Sequence, residues 1–131
     1  MKELVDKFIE LERKISKQKG EFTLFALFLR DNALNKWDLL VAAPWIEIDR
    51  KAALTYITKQ IQSSFTAEEM IQISRIVMLD QTNPTLDIIS KMPKPAHEVA
   101  EVKNSDLFGL QIKHAFIITA QKPLIHAEMM N

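Results

Sequence analysis

Two apolar runs separated by a short polar segment dominate the hydrophobic pattern of this chain. The first run extends from Phe22 to Leu29, the second extends from Trp37 to Ala43, and Asp and Asn occur between them. Strand-forming residues bounded by turn-forming residues predict a β-hairpin. Because the first run is apolar on both alternating faces, we expect it to be covered on both sides at the centre of a sheet.

Three segments have the periodicity or the capping residues of helices. Residues 2–19 place apolar side chains at i, i+4, i+7 and i+11, and Gly20 follows as a C-terminal cap. Asp49 is predicted to cap the next helix. Thr66 and Glu69 have the spacing of a capping box, which predicts the start of a third helix.

The remaining apolar segments predict three more strands, one more short helix and an extended stretch after Pro44. The strands are expected at 75–80, 98–103 and 107–120, the turn between the last two at 104–106, the helix at 85–91 and the extended stretch at 45–48.

The resulting order is α-β-β-α-α-β-α-β-β, and no segment has the length of an interdomain linker. The chain therefore predicts a single α+β domain over residues 1–131. Its sheet should be mainly antiparallel with about four to five strands, packed by the N-terminal amphipathic helix and two to three shorter helices. We expect seven side chains to be nearly inaccessible: Phe25, Leu27, Leu39, Val41, Val77, Phe116 and Ile118.

Charge and composition exclude several classes of protein. Seventeen Lys and Arg balance 17 Asp and Glu, so nucleic acid is not expected as a partner. The absence of cysteine excludes thiol catalysis and Cys-ligated zinc. The two glycines, Gly20 and Gly109, are too few for a phosphate-binding loop. We expect no cofactor and no bound metal.

The first ten residues carry charges throughout, unlike the apolar segment of a signal peptide. No apolar run reaches the length of a membrane span. We therefore expect a soluble, cytoplasmic protein that does not associate with membranes.

The histidines His97, His114 and His126 lack the spacing of a metal-binding motif. Strand alternation places His114 on the apolar face of the last predicted strand. A histidine in that position is more often a hydrogen-bonded core residue than a ligand or a general base, and both interpretations stay open.

A metal-dependent hydrolase or nuclease would use acidic side chains to hold the metal and a lysine to position or activate water. Glu101 and Lys103 have this Glu-x-Lys spacing, and Asp80 or Asp87 lies upstream as a further ligand. Matches this short arise readily by chance. The hydrolase is therefore the alternative hypothesis rather than the favoured one.

No motif assigns an activity, so the favoured hypothesis is a non-enzymatic protein-interaction module: a subunit, a regulator or an inhibitor-type partner. We also expect self-association as a homodimer. The run from Phe22 to Leu29 requires cover on both faces, and the segment from Leu124 to Asn131 carries apolar residues without a local partner. Trp37 and Trp45 are interpreted as core residues rather than as stacking platforms for a ligand.

Overall fold

The computed structural model describes residues 2–30, 36–84, 86–87, 99–107 and 110–121. Its helices are α1 (Lys2–Lys19), α2 (Pro44–Ile48), α3 (Arg50–Ser64) and α4 (Ala67–Ile71), and its strands are β1 (Leu24–Arg30), β2 (Trp37–Ala42), β3 (Ile73–Met78), β4 (Ala100–Leu107) and β5 (Leu110–Ala120). Within these ranges, no helix is long and apolar enough to cross a membrane.

The five strands form one sheet in the order β3-β2-β1-β5-β4, which confirms the predicted α+β fold and the central position of β1. Strand β1 pairs antiparallel with β2 and β5, and β4 pairs antiparallel with β5. Strand β3 instead lies parallel to β2, so the sheet is mixed. A parallel neighbour requires a crossover, which α2, α3 and α4 provide by returning the chain to the starting end of β2.

Helices α1 and α3 pack against one side of the sheet, which we call the helix face. The apolar stripe of α1 is buried there, and Phe8 lies with its ring centroid 6.2 Å from Phe25 of β1 and 4.7 Å from Phe65. From α3, Ala53, Ile57 and Ile61 are buried in the same core.

The opposite side of the sheet, the second face, has its own buried cluster. Its inaccessible side chains are Leu24, Ala26, Phe28, Leu40, Ala42, Leu86, Ile112, Ala115 and Ile117. Strand β1 is therefore covered on both sides, as predicted. These side chains are buried within a single chain, so their burial does not require a second subunit. Self-association stays a prediction.

Local sequence signals are confirmed at the helix starts. The Asp49 side chain accepts a hydrogen bond of 3.0 Å from the Ala52 N–H, and Thr66 and Glu69 form the complete capping box. Pro84, Leu86 and Asp87 are helical, and the rest of the helix predicted over 85–91 lies outside the described residues.

Two local predictions are wrong. Residues 45–48 are helical in α2 rather than extended, because Pro44 takes the first helical position, where a missing N–H has no consequence. The turn predicted at 104–106 is part of β4, which continues to Leu107.

Five of the seven predicted core residues are inaccessible, whereas Val77 and Phe116 are only partly buried. Val77 belongs to the edge strand β3. Phe116 lies opposite Glu101 of the other edge strand, β4. Edge strands leave side chains near them partly open to solvent, which the sequence pattern does not reveal.

Candidate functional site

A cleft with a volume of about 370 Å³ opens where β1 begins and where β2 and β5 end. This volume falls within the range of about 300–1,000 Å³ that is typical of ligand pockets. The α1–β1 connection forms one wall and α2 forms the other. The lining residues are Lys19, Gly20, Glu21, Phe22, Thr23, Pro44, Trp45, Ile48 and Gln121.

Gly20 allows the two walls to meet closely. Its φ of 124° lies in a region that residues with a Cβ rarely adopt, and its N–H donates to the Ser16 carbonyl at 3.0 Å to end α1. A Cβ at this position would lie 3.3 Å from Cδ1 of Trp45. The backbone of one wall therefore approaches the indole of the other so closely that a Cβ would require the indole to shift by a few tenths of an ångström.

Aromatic neighbours fix the ring of Trp45. The indole makes edge contacts with Phe22 at 5.6 Å and with Tyr56 at 6.3 Å between ring centroids. The Tyr56 hydroxyl donates to the Gln18 side chain, and the ammonium of Lys19 lies 4.8 Å from the centre of the tyrosine ring. These contacts join α1, α2 and α3 around the cleft.

Helix α2 carries a largely exposed apolar residue beside the cleft. Ile46 is inaccessible in the core, and Ile48 lies about 200° further around the helix, so it points away from that core. The side chain of Ile48 is 85% exposed. Glu47 accepts a hydrogen bond from the Gln81 backbone N–H and ties this short helix to the residues after β3.

Backbone pairing holds the floor of the cleft. Thr23 N–H donates to the Ala42 carbonyl at 2.7 Å, and Gln121 N–H donates to the Thr23 carbonyl at 2.9 Å. The Gln121 side chain donates to the Phe22 carbonyl at 2.6 Å. The cleft is therefore preformed, because each of its walls and its floor is tied to the sheet.

The described lining residues offer few groups for catalysis. Among them there is no histidine, cysteine, serine or aspartate, and Glu21 is the single carboxylate. The Thr23 hydroxyl already donates to Gln81 at 2.9 Å. General acid–base catalysis needs positioned titratable groups near the reacting atoms, which these lining residues do not supply.

The sequence-predicted residues His114, Glu101 and Lys103 come together at the other end of the sheet. Nε2 of His114 lies 2.6 Å from Oε2 of Glu101, and Nζ of Lys103 lies 3.7 Å from the same oxygen. His114 is partly buried against Trp37 and Phe116, with ring centroids 5.6 Å and 4.5 Å away. It is thus hydrogen-bonded at the margin of the core.

The His114 hydrogen bond, followed by the charge of Lys103, lowers the pKa of Glu101 below its ordinary value of 4.5, although desolvation opposes them. Glu101 is therefore ionised at neutral pH and accepts from its neighbours. Cross-strand pairing creates this group: Lys103 lies opposite His114, and Glu101 lies diagonally from it on the same side of the sheet.

Asp80 lies far from this group. Glu101 shares one row of the sheet with Phe116, Leu27, Leu39 and Ile76. Four strand spacings of about 4.8 Å separate the outer strands of that row by about 19 Å.

Ile76 is the β3 member of this row, and Asp80 follows it four residues later in the chain. The Asp80 carboxylate pairs with the Arg50 guanidinium at 3.0 Å. Asp87 follows Leu86, which is buried on the second face, whereas Glu101 shares its side of the sheet with residues of the helix face. Within the described ranges, no group of three or more His, Asp or Glu side chains is arranged to hold a metal ion. His97 and His126 lie outside those ranges.

A further charged cluster occurs on the second face, at the start of β2. Asp38 is 3% exposed. Its Oδ2 lies 3.3 Å from Nη2 of Arg75 and 2.9 Å from Nε of Arg30. The contact with Arg30 lacks the alignment of a hydrogen bond. Arg75 thus pairs with Asp38, which lies opposite it on the neighbouring strand. Two guanidinium groups compensate the buried carboxylate, which is a structural role.

The sequence pattern does not reveal the cleft. It indicates a helix cap at Gly20 and a core residue at Trp45, and neither feature shows that these two residues meet across the cleft. No signal in the sequence marks Ile48 as exposed, because an apolar residue immediately before a helix cap usually packs against the first turns of that helix. Comparisons with protein-family models, curated proteins and solved structures find no match to this chain.

Proposed function

We propose that this protein is a non-enzymatic interaction module that binds a peptide segment of a partner protein through an apolar side chain in the cleft. The observation that carries this proposal is the 85% exposure of Ile48 beside a preformed cleft with a largely apolar lining. A concave site lined mostly by apolar groups is typical of ligand pockets.

The energetics support binding at this position. Complete burial of an exposed isoleucine contributes about 1.5–3 kcal/mol, which corresponds to a factor of about 10–150 in affinity. Because backbone and aromatic contacts hold the walls, the cleft itself needs little ordering, and the free energy that opposes binding is mainly the cost of ordering the peptide.

Trp45 provides a second line of support. Its buried indole N–H has no hydrogen-bond partner among the described residues. A buried donor left unsatisfied costs about 1–3 kcal/mol and calls for a reason other than stability.

The proposal is tested by selecting binders from a phage-displayed library of random 12-residue peptides and measuring their affinities by calorimetry. The variant Ile48→Asp should weaken the selected peptides by at least about tenfold. The matched control is Ile71→Asp, because Ile71 is an isoleucine of another short helix and is 64% exposed. Ile71 does not line the cleft, so its variant should bind normally.

Two outcomes would contradict the proposal. One is a selection that yields no peptide of micromolar affinity. The other is a peptide that tolerates Ile48→Asp but not Ile71→Asp, since such a peptide binds elsewhere. The hydrolase with Asp80 or Asp87, Glu101 and Lys103 stays an alternative hypothesis, which the separation of Asp80 from Glu101 does not favour.

A further inference from the structure

A second concave surface, which we call the α3 groove, adjoins the cleft. It has a volume of about 440 Å³ and is lined by Asp49, Lys51, Ala52, Thr55, Tyr56 and Lys59. Tyr56 joins it to the cleft, because its ring makes an edge contact with the indole of Trp45, a lining residue of the cleft, at 6.3 Å between ring centroids. A ligand that fills the cleft is therefore within reach of the first half of α3.

The α3 groove carries two exposed cations, Lys51 and Lys59. Neither ammonium pairs with a carboxylate of the described residues. Asp49 and Glu21 are the single carboxylates among the described lining residues of the groove and of the cleft. The Asp49 side chain is engaged as the cap of α3, where it accepts the Ala52 N–H at 3.0 Å. The two ammonium groups are thus open to carboxylates of another molecule.

Helix α1 adds to this positive charge. Its last seven residues contain four cations and no Asp or Glu, and α3 contains three cations and no Asp or Glu. The Tyr56 hydroxyl donates to the Gln18 side chain, and the Lys19 ammonium lies 4.8 Å from the centre of the tyrosine ring. The basic end of α1 therefore lies beside the α3 groove. Because the chain has no net charge, this part of the surface is basic at the expense of the rest.

We propose that the peptide segment bound by the cleft is acidic. Its apolar side chain fills the cleft beside Ile48, and neighbouring Asp or Glu residues lie along the α3 groove beside Lys51 and Lys59. This inference rests on the proposed function, since it assigns the chemistry of the peptide that the cleft binds.

The spacing of the two lysines indicates the spacing of the acids. Lys51 and Lys59 are eight residues apart in α3, which corresponds to about 12 Å along the helix axis. An extended peptide covers that distance in about three to four residues. Acidic residues three or four positions apart therefore match both ammonium groups.

An acidic peptide fits this surface better than a nucleic acid does. Binding of nucleic acid depends on many phosphate contacts, and the chain as a whole has no excess of cations to supply them. A peptide needs only a few carboxylates, because its apolar side chain supplies the remaining contact. Exposed ion pairs are individually weak, so the acids should adjust the affinity and the rate of association rather than replace the apolar contact.

The peptides selected on the wild-type protein provide the test. Those that lose affinity in Ile48→Asp should be enriched in Asp and Glu. The double variant Lys51→Glu with Lys59→Glu should weaken them by at least about fivefold, because two attractions become repulsions. Their affinity for the wild type should also fall as the salt concentration rises.

The matched control is the double variant Lys2→Glu with Lys113→Glu, which makes the same change in net charge. Both lysines are exposed. Lys2 is the first residue of α1, at the end opposite Lys19, and Lys113 lies near the start of β5, whereas the cleft lies near its end. At a salt concentration of about 0.15 M, the Debye length of about 8 Å screens charges at these distances, so the control should bind normally.

A charge-reversed peptide separates direct pairing from a structural role. Replacing the acids of a selected peptide with lysine should weaken its binding to the wild type. The same peptide should bind the Lys51→Glu, Lys59→Glu variant more tightly than it binds the wild type. If that variant does not melt cooperatively, Lys51→Gln and Lys59→Gln replace it, and each should weaken the original peptide by about twofold.

The outcomes separate this inference from the proposed function. Peptides that depend on Ile48 but lack acidic enrichment, or that bind the Lys51→Glu, Lys59→Glu variant normally, would overturn the inference and leave the proposed function intact. A selection without peptides that depend on Ile48 would reject both. Acidic peptides that need the two lysines but tolerate Ile48→Asp would show that the groove and the cleft do not share one ligand. An oligonucleotide or an anionic lipid vesicle that binds more tightly than the peptides, through the same lysines, would overturn the assignment of the groove to a peptide.

Discussion

Replacing Gly20 with alanine tests the closest approach within the cleft. At a φ of 124°, any L-residue with a Cβ is strained, and the new methyl group would lie 3.3 Å from Cδ1 of Trp45. Both effects act on the folded state. Alanine also makes the unfolded chain less flexible than glycine does, and this change offsets the loss of stability by about 0.4–1 kcal/mol.

The expected loss of stability is about 1–3 kcal/mol, the usual cost of one residue held in an unfavourable backbone conformation. The contact with Trp45 adds to this cost, because a distance of 3.3 Å requires the indole to shift by a few tenths of an ångström. Phe22 and Tyr56 hold the ring on its other sides, so the shift is resisted.

Urea unfolding followed by circular dichroism measures the free energy of unfolding. A double-mutant cycle with Trp45→Ala separates the two causes. Backbone strain persists when the indole is absent, whereas the contact disappears, so the cost of Gly20→Ala should fall by about 0.5 kcal/mol or more in the Trp45→Ala background.

The reasoning fails if Gly20→Ala costs less than about 0.5 kcal/mol, because the backbone would then not be strained. An equal cost in both backgrounds would show that the contact with Trp45 contributes nothing. A change in the slope of the unfolding curve would indicate an altered unfolded ensemble and would invalidate the comparison.

Three further predictions follow from the core and the charged groups. Leu27→Ala should cost about 2–5 kcal/mol in urea unfolding, and Phe116→Ala should cost less than burial of a whole ring implies, because Phe116 is partly exposed. Hydrogen bonds from Lys7 to Glu69 and from His114 to Glu101 lower the pKa of the two carboxyl groups. Each carboxylate therefore stabilises the fold above the ordinary pKa of 4.5, and this stabilisation is lost as the pH falls through the lowered pKa. The melting temperature should drop over that acidic range, and the drop should be less steep in Glu69→Gln or Glu101→Gln. Manganese or magnesium should leave the melting temperature unchanged, whereas the hydrolase hypothesis requires an increase that Glu101→Ala abolishes.

Local signals explain which parts of the fold could be predicted. The amphipathic stripe of α1, the Asp49 cap and the capping box at Thr66 depend on residues within a few positions of one another. The central position of β1 also follows from its own composition, because a strand that is apolar on both faces needs cover on both sides.

Long-range pairing explains what could not be predicted. The parallel orientation of β3 depends on the path of three helices, and β-propensity carries no information about direction. The meeting of His114 with Glu101 depends on the β4–β5 register, which places Lys103 opposite His114. The cleft combines residues from the α1–β1 connection, α2 and the end of β5, and no sequence spacing links them.

The pairing of β1 with β5 has a consequence for synthesis of the chain. Leu24 pairs with Ala120, nearly 100 residues later. At about 5–20 residues per second, a ribosome needs about 5–20 seconds to make the intervening segment. During that time one edge of the most apolar strand has no partner, although the hairpin with β2 can already form. Nascent or truncated chains that lack β5 should therefore aggregate or engage chaperones, and the full sheet can close only after β5 has left the ribosome.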